Sequence, residues 1–478
     1  MLFLADDLGW KDTGVYGSGY FETPNIDRLA SEGMRFSNAY SANPLCSPTR
    51  ASIMTGKNPD RLNITSPWCH FEPAEAHIAE RGEAWEKMIL PSPQTYLPTS
   101  EYTLPRALGD GGYRTVHLGK WHLGRRPYHP EDHGYEVNIG GQSWGGPRSY
   151  FSPYQNDLLE DGPDGEYLTD RLGREAASQI KADGDDRPFF ISLWTYAVHS
   201  PFQGKDEYIR KYEKKKDPQG IQDCATMGAM VQSMDDALGT VLAALEMQGL
   251  IDDTIVIFLS DNGPSKGKVN GVPVSSAAPL RGMKGSVYEG GFRVPMIVRW
   301  PDRVEAGAVS DPIVTSTDLY ATILEMANLP CRPEQAKDSV SIVPLLDGDT
   351  TPTRRSFFCH YPLGAAYVNR DGAIAPGALH HISSTTVRRD NWKLIRHWDT
   401  NDYFKEPFEL YNLAEDEGEA TNLAPNRPDL VGELDGMIDT YLADTGALCP
   451  VPNPDFDPAT RSDLDAPERP DTMFSSEA

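Results

Sequence analysis

Two acidic segments each follow an apolar run: Asp6-Asp7 follows Leu2–Ala5, and Asp261-Asn262-Gly263 follows Ile255–Leu259. Three carboxylates and an amide oxygen make a hard, oxygen-only donor set, suited to Ca2+ or Mg2+ rather than to zinc. A second constellation is cationic. Lys120-Trp121-His122 follows the run Thr115–Leu118, and an extended Lys-x-His presents both polar groups on one face. His199 follows Phe189–Trp194, and Lys284 lies in the glycine-rich stretch Arg281-Gly282-Met283-Lys284-Gly285. Together these groups suit a polyanion pocket. Cys46-Ser47-Pro48-Thr49-Arg50 supplies a third feature. Ser47 as cap and Pro48 as first residue start a helix that ends near Gly56, which puts Cys46 just before a helix N-terminus. Unpaired N–H groups there favour an anion, and Arg50, one turn inside, adds a rigid fork of donors for a tetrahedral oxyanion.

Each residue alone has an ordinary structural explanation. Strand-end aspartates form turns, a cysteine at a helix start can be a small buried residue, and a histidine can be hydrogen-bonded in the interior. His70, His77, His117, His360, His380, His381 and His397 fit no ligand spacing, and His129 and His133 lie in a polar loop. Asn63-Ile64-Thr65 fits a glycosylation acceptor, a tripeptide common by chance.

The elements that must position these groups follow from periodicity. Short β-rich runs alternate with amphipathic stretches as far as about residue 330, the pattern of a parallel sheet covered on both faces. Strands are expected at Leu2–Ala5, Thr115–Leu118, Phe189–Trp194, Ile255–Leu259 and Met296–Val298. Both aspartate-bearing turns then fall at the carboxyl edge, where open parallel sheets bind ligands. The clearest helix is Cys224–Gln248, in which Met227, Met230, Val231, Met234, Leu238, Val241, Leu242 and Leu245 recur at helical spacing. Thr23-Pro24 reads as another helix start. After about residue 350 come strand-like pieces, Ser356–His360, Thr385–Val387, Lys393–His397 and Phe408–Leu410, and a last helix, Leu430–Leu442. The expected fold class is α/β: a large, mostly parallel or mixed sheet sandwiched by helices, with a smaller C-terminal antiparallel sheet plus helix. Residues 1–345 are expected to form the large α/β domain that carries these groups, 346–449 the C-terminal α+β subdomain, and 450–478 an extended or loose acidic, Pro-rich tail.

A chain of 478 residues exceeds the roughly 250–300 at which single cores stop growing, which agrees with two unequal domains. With 44 basic against 70 acidic residues, the formal charge of −26 repels nucleic acid and anionic membranes, so neither is expected as a partner. An anionic substrate must therefore be drawn in by locally clustered cations and metal. No apolar run approaches the roughly 18 residues of a membrane span. The six cysteines lack CxxC or zinc-type spacing, which argues against a disulfide scaffold.

Cys46-x-Pro48-x-Arg50, continued by Ala51-Ser52-Ile53-Met54-Thr55-Gly56, resembles the signature of the type I, formylglycine-dependent sulfatases, an arylsulfatase-like family with the alkaline phosphatase superfamily fold. Ala5-Asp6-Asp7-Leu8-Gly9-Trp10, Lys120-Trp121-His122, Val198-His199-Ser200-Pro201, Ser260-Asp261-Asn262-Gly263 and the Lys284 loop match further segments of that family in its order. The resemblance covers residues 1 to about 320 in blocks and is architectural beyond. It implies a sulfuric ester hydrolase, with formylglycine made from Cys46 by a maturation enzyme. It also implies Ca2+, with Mg2+ the lesser alternative, held by Asp6, Asp7, Asp261 and Asn262 together with residue 46.

By the same resemblance, one hydroxyl of hydrated formylglycine attacks sulfur with Asp261 as base, while the metal and Lys120 hold sulfate oxygens. His199 and Lys284 bind sulfate and supply the leaving-group proton. His122 deprotonates the second hydroxyl to expel sulfate, and Arg50 orients the nucleophile. A sulfated glycan is the expected substrate, met by loops between the blocks: Asn58–Ser100, Asn138–Tyr154 with Trp144 and Arg148, and His360–His381 with His360. The opening Met1-Leu2-Phe3-Leu4-Ala5 is shorter than the family's usual entry to its first strand and too short for a signal peptide. The expectation is an exported, periplasmic or extracellular protein whose leader is absent from this chain, with a cytoplasmic place as the alternative. Two other functions compete: a phosphodiester or phosphonate monoester hydrolase of the same superfamily, and a non-catalytic glycan-binding homologue. Oligomeric state is left open.

Overall fold

The structure, a computed structural model, describes residues 1–71, 84, 87–180, 185–354, 356–362, 383–400 and 405–457. His77, His380, His381 and residues 458–478 of the expected tail lie outside the described residues. Eight strands form the large sheet, numbered here in chain order: β1 Leu2–Ala5, β2 Met34–Phe36, β3 Arg114–Gly119, β4 Val137–Ile139, β5 Phe189–Trp194, β6 Val256–Ser260, β7 Met296–Arg299 and β8 Ala308–Ser310. Their spatial order is β8-β2-β7-β6-β1-β5-β3-β4. β6, β1, β5, β3 and β4 run parallel, whereas β7 is antiparallel to both β6 and β2, so the sheet is mixed.

β1 lies at the centre, with Leu2 opposite Ser192 on one side and Ile257 on the other. All four of its residues are buried, as expected of a strand covered on both faces. On one face packs the helix Ala225–Met247, whose eight predicted stripe residues are all buried. Each such side chain contributes roughly 1.5–3 kcal/mol relative to exposure. The helices Cys46–Thr55, Leu104–Asp110 and Leu319–Met326 supply the core on the opposite face.

The C-terminal part is a four-stranded antiparallel sheet, β9 Ser356–Tyr361, β10 Ser384–Arg389, β11 Trp392–His397 and β12 Phe408–Asn412, paired in sequence order. The helix Pro428–Thr445 covers one face through Leu430, Leu434, Ile438 and Leu442. The other face shares a core with the large domain. Tyr40, Phe292 and Phe357 lie with ring centroids 4.8–5.7 Å apart, so the two units are packed together rather than tethered.

Three expectations need correction. The helix at the cysteine motif runs Cys46–Thr55 with Leu45 as its cap, so Cys46 is the first helical residue rather than the one before it. Ser47 does not cap the helix; its Oγ donates to the His122 carbonyl at 2.8 Å. Pro48 falls at the third helical position, where its missing N–H is still one of the donors that have no intrahelical acceptor. At the other proline start, Thr23 precedes the helix Pro24–Ser31 as expected but makes no side-chain cap bond: its hydroxyl accepts the Gly14 N–H at 2.8 Å and donates to Asp27 at 3.1 Å.

Candidate active site

The site forms where β1, β3, β5 and β6 end together. Asp6 and Asp7 leave β1, and the Asp6 backbone is clamped to the loop after β5: its N–H donates to the Ala197 carbonyl (2.9 Å) and its carbonyl accepts from Val198 (2.6 Å). The Asp261 N–H donates to the Ala5 carbonyl (3.1 Å), tying the β6 turn to β1. The Lys120 N–H donates to the Trp194 carbonyl (2.8 Å), doing the same for β3 and β5. Lys284 reaches in from its loop, fixed by its N–H to Pro264 and by Gly285 to Pro44. Asp7 and His122 both have left-handed backbones, φ 62° and 58°. For non-glycine residues that conformation costs about 1–3 kcal/mol and persists only where the surroundings enforce it.

The side chains then interlock. Lys120 Nζ lies 2.6 Å from Asp6 Oδ2, and Cys46 Sγ lies 3.6 Å from Asp6 Oδ1. Lys284 Nζ lies 2.6 Å from Asp7 Oδ1, the Asn262 amide donates to that same oxygen at 2.8 Å, and His199 Nε2 is 3.8 Å from Asp7 Oδ2. Arg50 donates Nε and Nη2 to Asp261 Oδ2 (2.9 and 2.8 Å) and Nη1 to the Lys120 carbonyl (2.8 Å). Its guanidinium is thus spent on Asp261 rather than on Cys46 directly, and Trp194 lies beneath it at 5.3 Å. Asp6, Arg50, Lys120, Asp261 and Asn262 are fully buried.

Burial sets the protonation pattern. It pushes the Cys46 thiol up to about 12 against the pull of Lys120 and Lys284. Asp6 rises to about 7 through burial and the nearby Asp261, which outweigh Lys120. For Asp7, burial is overcome by Lys284, His199 and Lys120, which hold it well below the usual carboxylate range. Burial and Lys284 lower His199 to about 3, and burial with Lys120 and His70 lowers His122 far below its ordinary value.

The donor set fits a divalent cation. Ligand atoms of Asp6, Asp7, Cys46 and His199 lie within 4.8 Å of one another. Asn262 Oδ1 is buried without a hydrogen-bond partner among the described residues, and a hard cation is the natural acceptor of its lone pairs. Asp261 is not in that compact group of four, because Arg50 holds one of its oxygens and the Asp7 N–H (3.3 Å) approaches the other. Three carboxylates face three permanent cations, Arg50, Lys120 and Lys284, so a bound dication leaves a surplus of positive charge for an anionic substrate.

Trp144, half-buried, and Arg148, exposed, lie in a loop at the mouth, with the Arg148 guanidinium 4.7 Å above the Trp144 ring. Gly146 between them is required: a Cβ there would meet the Ser200 carbonyl at 2.8 Å and His199 Nδ1 at 2.9 Å. His360 is different. It is buried in β9, with Nδ1 2.7 Å from Thr385 Oγ1 and Nε2 3.1 Å from the Leu448 carbonyl, so both ring nitrogens are used inside the C-terminal unit and the expected substrate contact gives way to a structural role. Sequence spacing missed His70, which the fold brings against His122 across 52 residues. The acceptor motif at Asn63 is also absorbed structurally: Nδ2 donates to Ser92 at 3.1 Å and Thr65 is buried.

This edge gathers a cysteine, three carboxylates, an amide and a set of cations at the end of a mixed sheet, and comparison with known proteins shows the family to which such a chain belongs. Residues 1–329 match the sequence model of the sulfatase family, and residues 283–438 match that of the N-sulphoglucosamine sulphohydrolase C-terminal region. The chain belongs to the sulfatase family. It is 34% identical to human N-acetylgalactosamine-6-sulfatase over 72% of this chain and 65% of that protein, and so spans somewhat under two thirds of that relative's length. It is 30% identical to a sulfatase of Formosa agariphila over 94% of this chain and 89% of that one. Among solved structures, Ps i-CgsB in complex with k-i-k-neocarrahexaose superposes with a TM-score of 0.73 at 27% identity, covering 99% of both chains.

Proposed function

We propose that this protein hydrolyses sulfate esters of a carbohydrate, using a formylglycine made from Cys46 and one calcium ion. The observation that carries the reading is the meeting of Cys46, at the start of a helix, with Asp6, Asp7 and the cations Lys120 and Lys284 in one buried edge. A thiol held near 12 is protonated at neutral pH and a poor nucleophile, which favours a site that works only after oxidation. The carbohydrate substrate rests on the names of two relatives: one is an N-acetylgalactosamine-6-sulfatase, the other was solved with a neocarrahexaose.

When present, the modified residue supplies a hydrated aldehyde oxygen as nucleophile, and the divalent ion supplies charge stabilisation. Asp6, Asp7, Asp261 and Asn262 would hold that ion. Lys120 and Lys284, ion-paired to Asp6 and Asp7, would hold sulfate oxygens, and the first turn of the Cys46 helix would add N–H donors. Arg50 fixes the Asp261 carboxylate through Oδ2, and as base that carboxylate would take the proton of the attacking hydroxyl. His199 donates Nδ1–H to the Ser200 carbonyl at 2.7 Å, which leaves Nε2 for substrate; Nε2 would pass a proton to the departing alcohol oxygen once the bound anion has brought one onto it, with the Lys284 ammonium beside it as the other proton donor. His122 takes the proton whose loss expels sulfate. Splitting transfer into attack and release turns one hard step into two easier ones.

The test is a protein coexpressed with a formylglycine-generating enzyme and assayed in parallel on aryl sulfate, sulfated oligosaccharides, a phosphate diester and a phosphonate monoester. Sulfate release should dominate kcat/KM, and mass spectrometry of the Cys46 peptide should show CH2SH replaced by CHO. A preference for phosphonate would select the phosphoryl-transfer reading instead, and silence on every substrate by fully modified protein would favour a glycan-binding role.

A further inference from the structure

His70 is half-buried in a turn closed by the Phe71 N–H to the Trp68 carbonyl at 2.9 Å. Its position is fixed from outside by Arg125, whose Nε donates to the His70 carbonyl at 2.6 Å, and by the Phe71 ring at 4.1 Å between centroids. Its Nδ1 lies 3.2 Å from His122 Nε2, with the two rings 5.5 Å apart and inclined by 29°.

His122 has little freedom to respond. Its N–H donates to the Gln142 carbonyl (3.1 Å), its carbonyl accepts from Ser47, and Gly145 packs so closely on the ring that a Cβ there would lie 3.2 Å from Cε1 and Nε2. Its two ring nitrogens are inequivalent: Nε2 faces His70, while Nδ1 is buried without a hydrogen-bond partner among the described residues.

Two facing imidazole nitrogens at hydrogen-bond distance hold one proton between them, so one ring donates and the other accepts. If His70 donated, neutral His122 would carry its own proton on Nδ1 and have no lone pair left with which to accept another. If His70 accepts, His122 carries its proton on Nε2 and Nδ1 keeps a lone pair. Only the second arrangement makes His122 a base, and it survives the reaction, because Nε2–H still donates to His70 once Nδ1 is protonated. The partner of a working imidazole is usually a carboxylate or carbonyl that holds the tautomer in this way; here the acceptor is a second imidazole.

We propose that His70 is a positioning residue whose Nδ1 accepts the Nε2–H of His122, holding His122 in the tautomer that takes up a proton at Nδ1. The proposal rests on the sulfatase reading for its kinetic consequence, but the hydrogen bond itself does not.

Two measurements test it. In the full-length protein labelled with 15N-histidine, with the His122 signals identified by their loss in His122→Phe, Nε2 should be the protonated, pyrrole-type nitrogen and Nδ1 the pyridine-type one. The reverse assignment overturns the proposal whether or not the enzyme turns over. In matured enzyme acting on an aryl sulfate, His70→Ala should lower kcat about ten- to a hundredfold with KM changed little, the usual size of such an outer partner. His70→Asn, whose Oδ1 can stand where Nδ1 stood as an acceptor, should recover most of that loss. An unchanged kcat in His70→Ala, a rise in KM alone, which would mark a substrate contact, or no recovery in His70→Asn would each overturn it. Failure of wild-type matured enzyme to release sulfate would instead end the sulfatase reading and leave the imidazole spectra to judge the pairing.

Discussion

Two buried clusters of charge in this protein have similar ingredients and opposite uses. At the carboxyl edge of the large sheet, Asp6, Asp7 and Asp261 face Lys120, Lys284 and Arg50. Between the two units, Glu289 and Glu419 share the Lys393 ammonium at 3.0 and 2.7 Å, Tyr40 donates to Glu289 at 2.6 Å, and Glu419 accepts the Glu289 N–H at 2.7 Å. In the second cluster each charge meets an opposite charge within 3.0 Å, Glu419 Oε1 meeting Lys393 as an ion pair only, and the groups join strands of the C-terminal sheet to the large domain. In the first, Asn262 Oδ1 and His122 Nδ1 remain without partners among the described residues. Buried lone pairs left unused are costly, about 1–3 kcal/mol each. At these two atoms the proposed chemistry supplies a partner, a divalent ion for Asn262 and a proton for His122.

If the comparison is right, substitutions at the two clusters separate activity from stability. The largest effect is expected at Cys46: Cys46→Ala should lower sulfate release on the order of 10^4-fold or more, as loss of a covalent nucleophile does, with an unchanged thermal unfolding curve. A comparable loss of stability in that variant would mean that the cysteine serves the core.

Next is Lys393→Met, which strands two buried carboxylates and should destabilise by about 3–5 kcal/mol in urea unfolding while the folded fraction keeps its kcat. Lys120→Met should do the reverse, cutting kcat with a smaller change in unfolding midpoint. Equal stability losses in both would erase the distinction between the clusters.

Calcium sharpens it further. A site that binds only the folded chain should raise unfolding free energy by about 2.7 kcal/mol at a hundredfold excess over Kd, and chelator should reverse the gain. Asp7→Asn should abolish the calcium response, whereas Glu289→Gln, in the other cluster, should retain it.

The smallest effect concerns pH. Glu409 of β12 accepts from Tyr288 at 2.9 Å and lies 3.1 Å from His397 Nε2; burial raises it, but His397, Tyr411 and Arg281 outweigh burial and hold it at about 2 against an ordinary 4.5. Because the folded value lies below the unfolded one, this carboxylate stabilises fully above pH 4.5 and progressively less as pH falls toward 2. The contribution is at most about 3 kcal/mol from the size of that shift. Glu409→Gln should flatten the stability–pH curve in that window; an unchanged slope would assign the acid sensitivity elsewhere.

Much of the fold was legible in the chain because its signals are local. β1 and β5 were expected with their observed ends, and the long helix was expected to within a residue of Ala225–Met247, since unbroken apolar runs and a 3.6-residue stripe leave little choice. β2, β4 and β8 were missed. Each is three residues long, and pairing with a neighbour rather than its own pattern makes it a strand. The antiparallel direction of β7 was equally invisible, because the residues of a fully buried strand read the same in either direction.

The polar groups of the site were legible for a related reason: they follow strands at short, fixed distances, so knowing the strands places Asp6, Lys120 and Asp261 at one edge. What the sequence by itself determined is thus an inventory and an edge: which donors, which cations, and the side of the sheet on which they meet. The tertiary structure alone decided their partners. Arg50 turned to Asp261, His360 was consumed by Thr385 and Leu448, and His70 came to rest on His122. The reason is physical: a strand's direction is written in consecutive residues, whereas a side-chain contact across 52 or 211 positions exists only once loops have closed and burial has forced each polar group to find an acceptor.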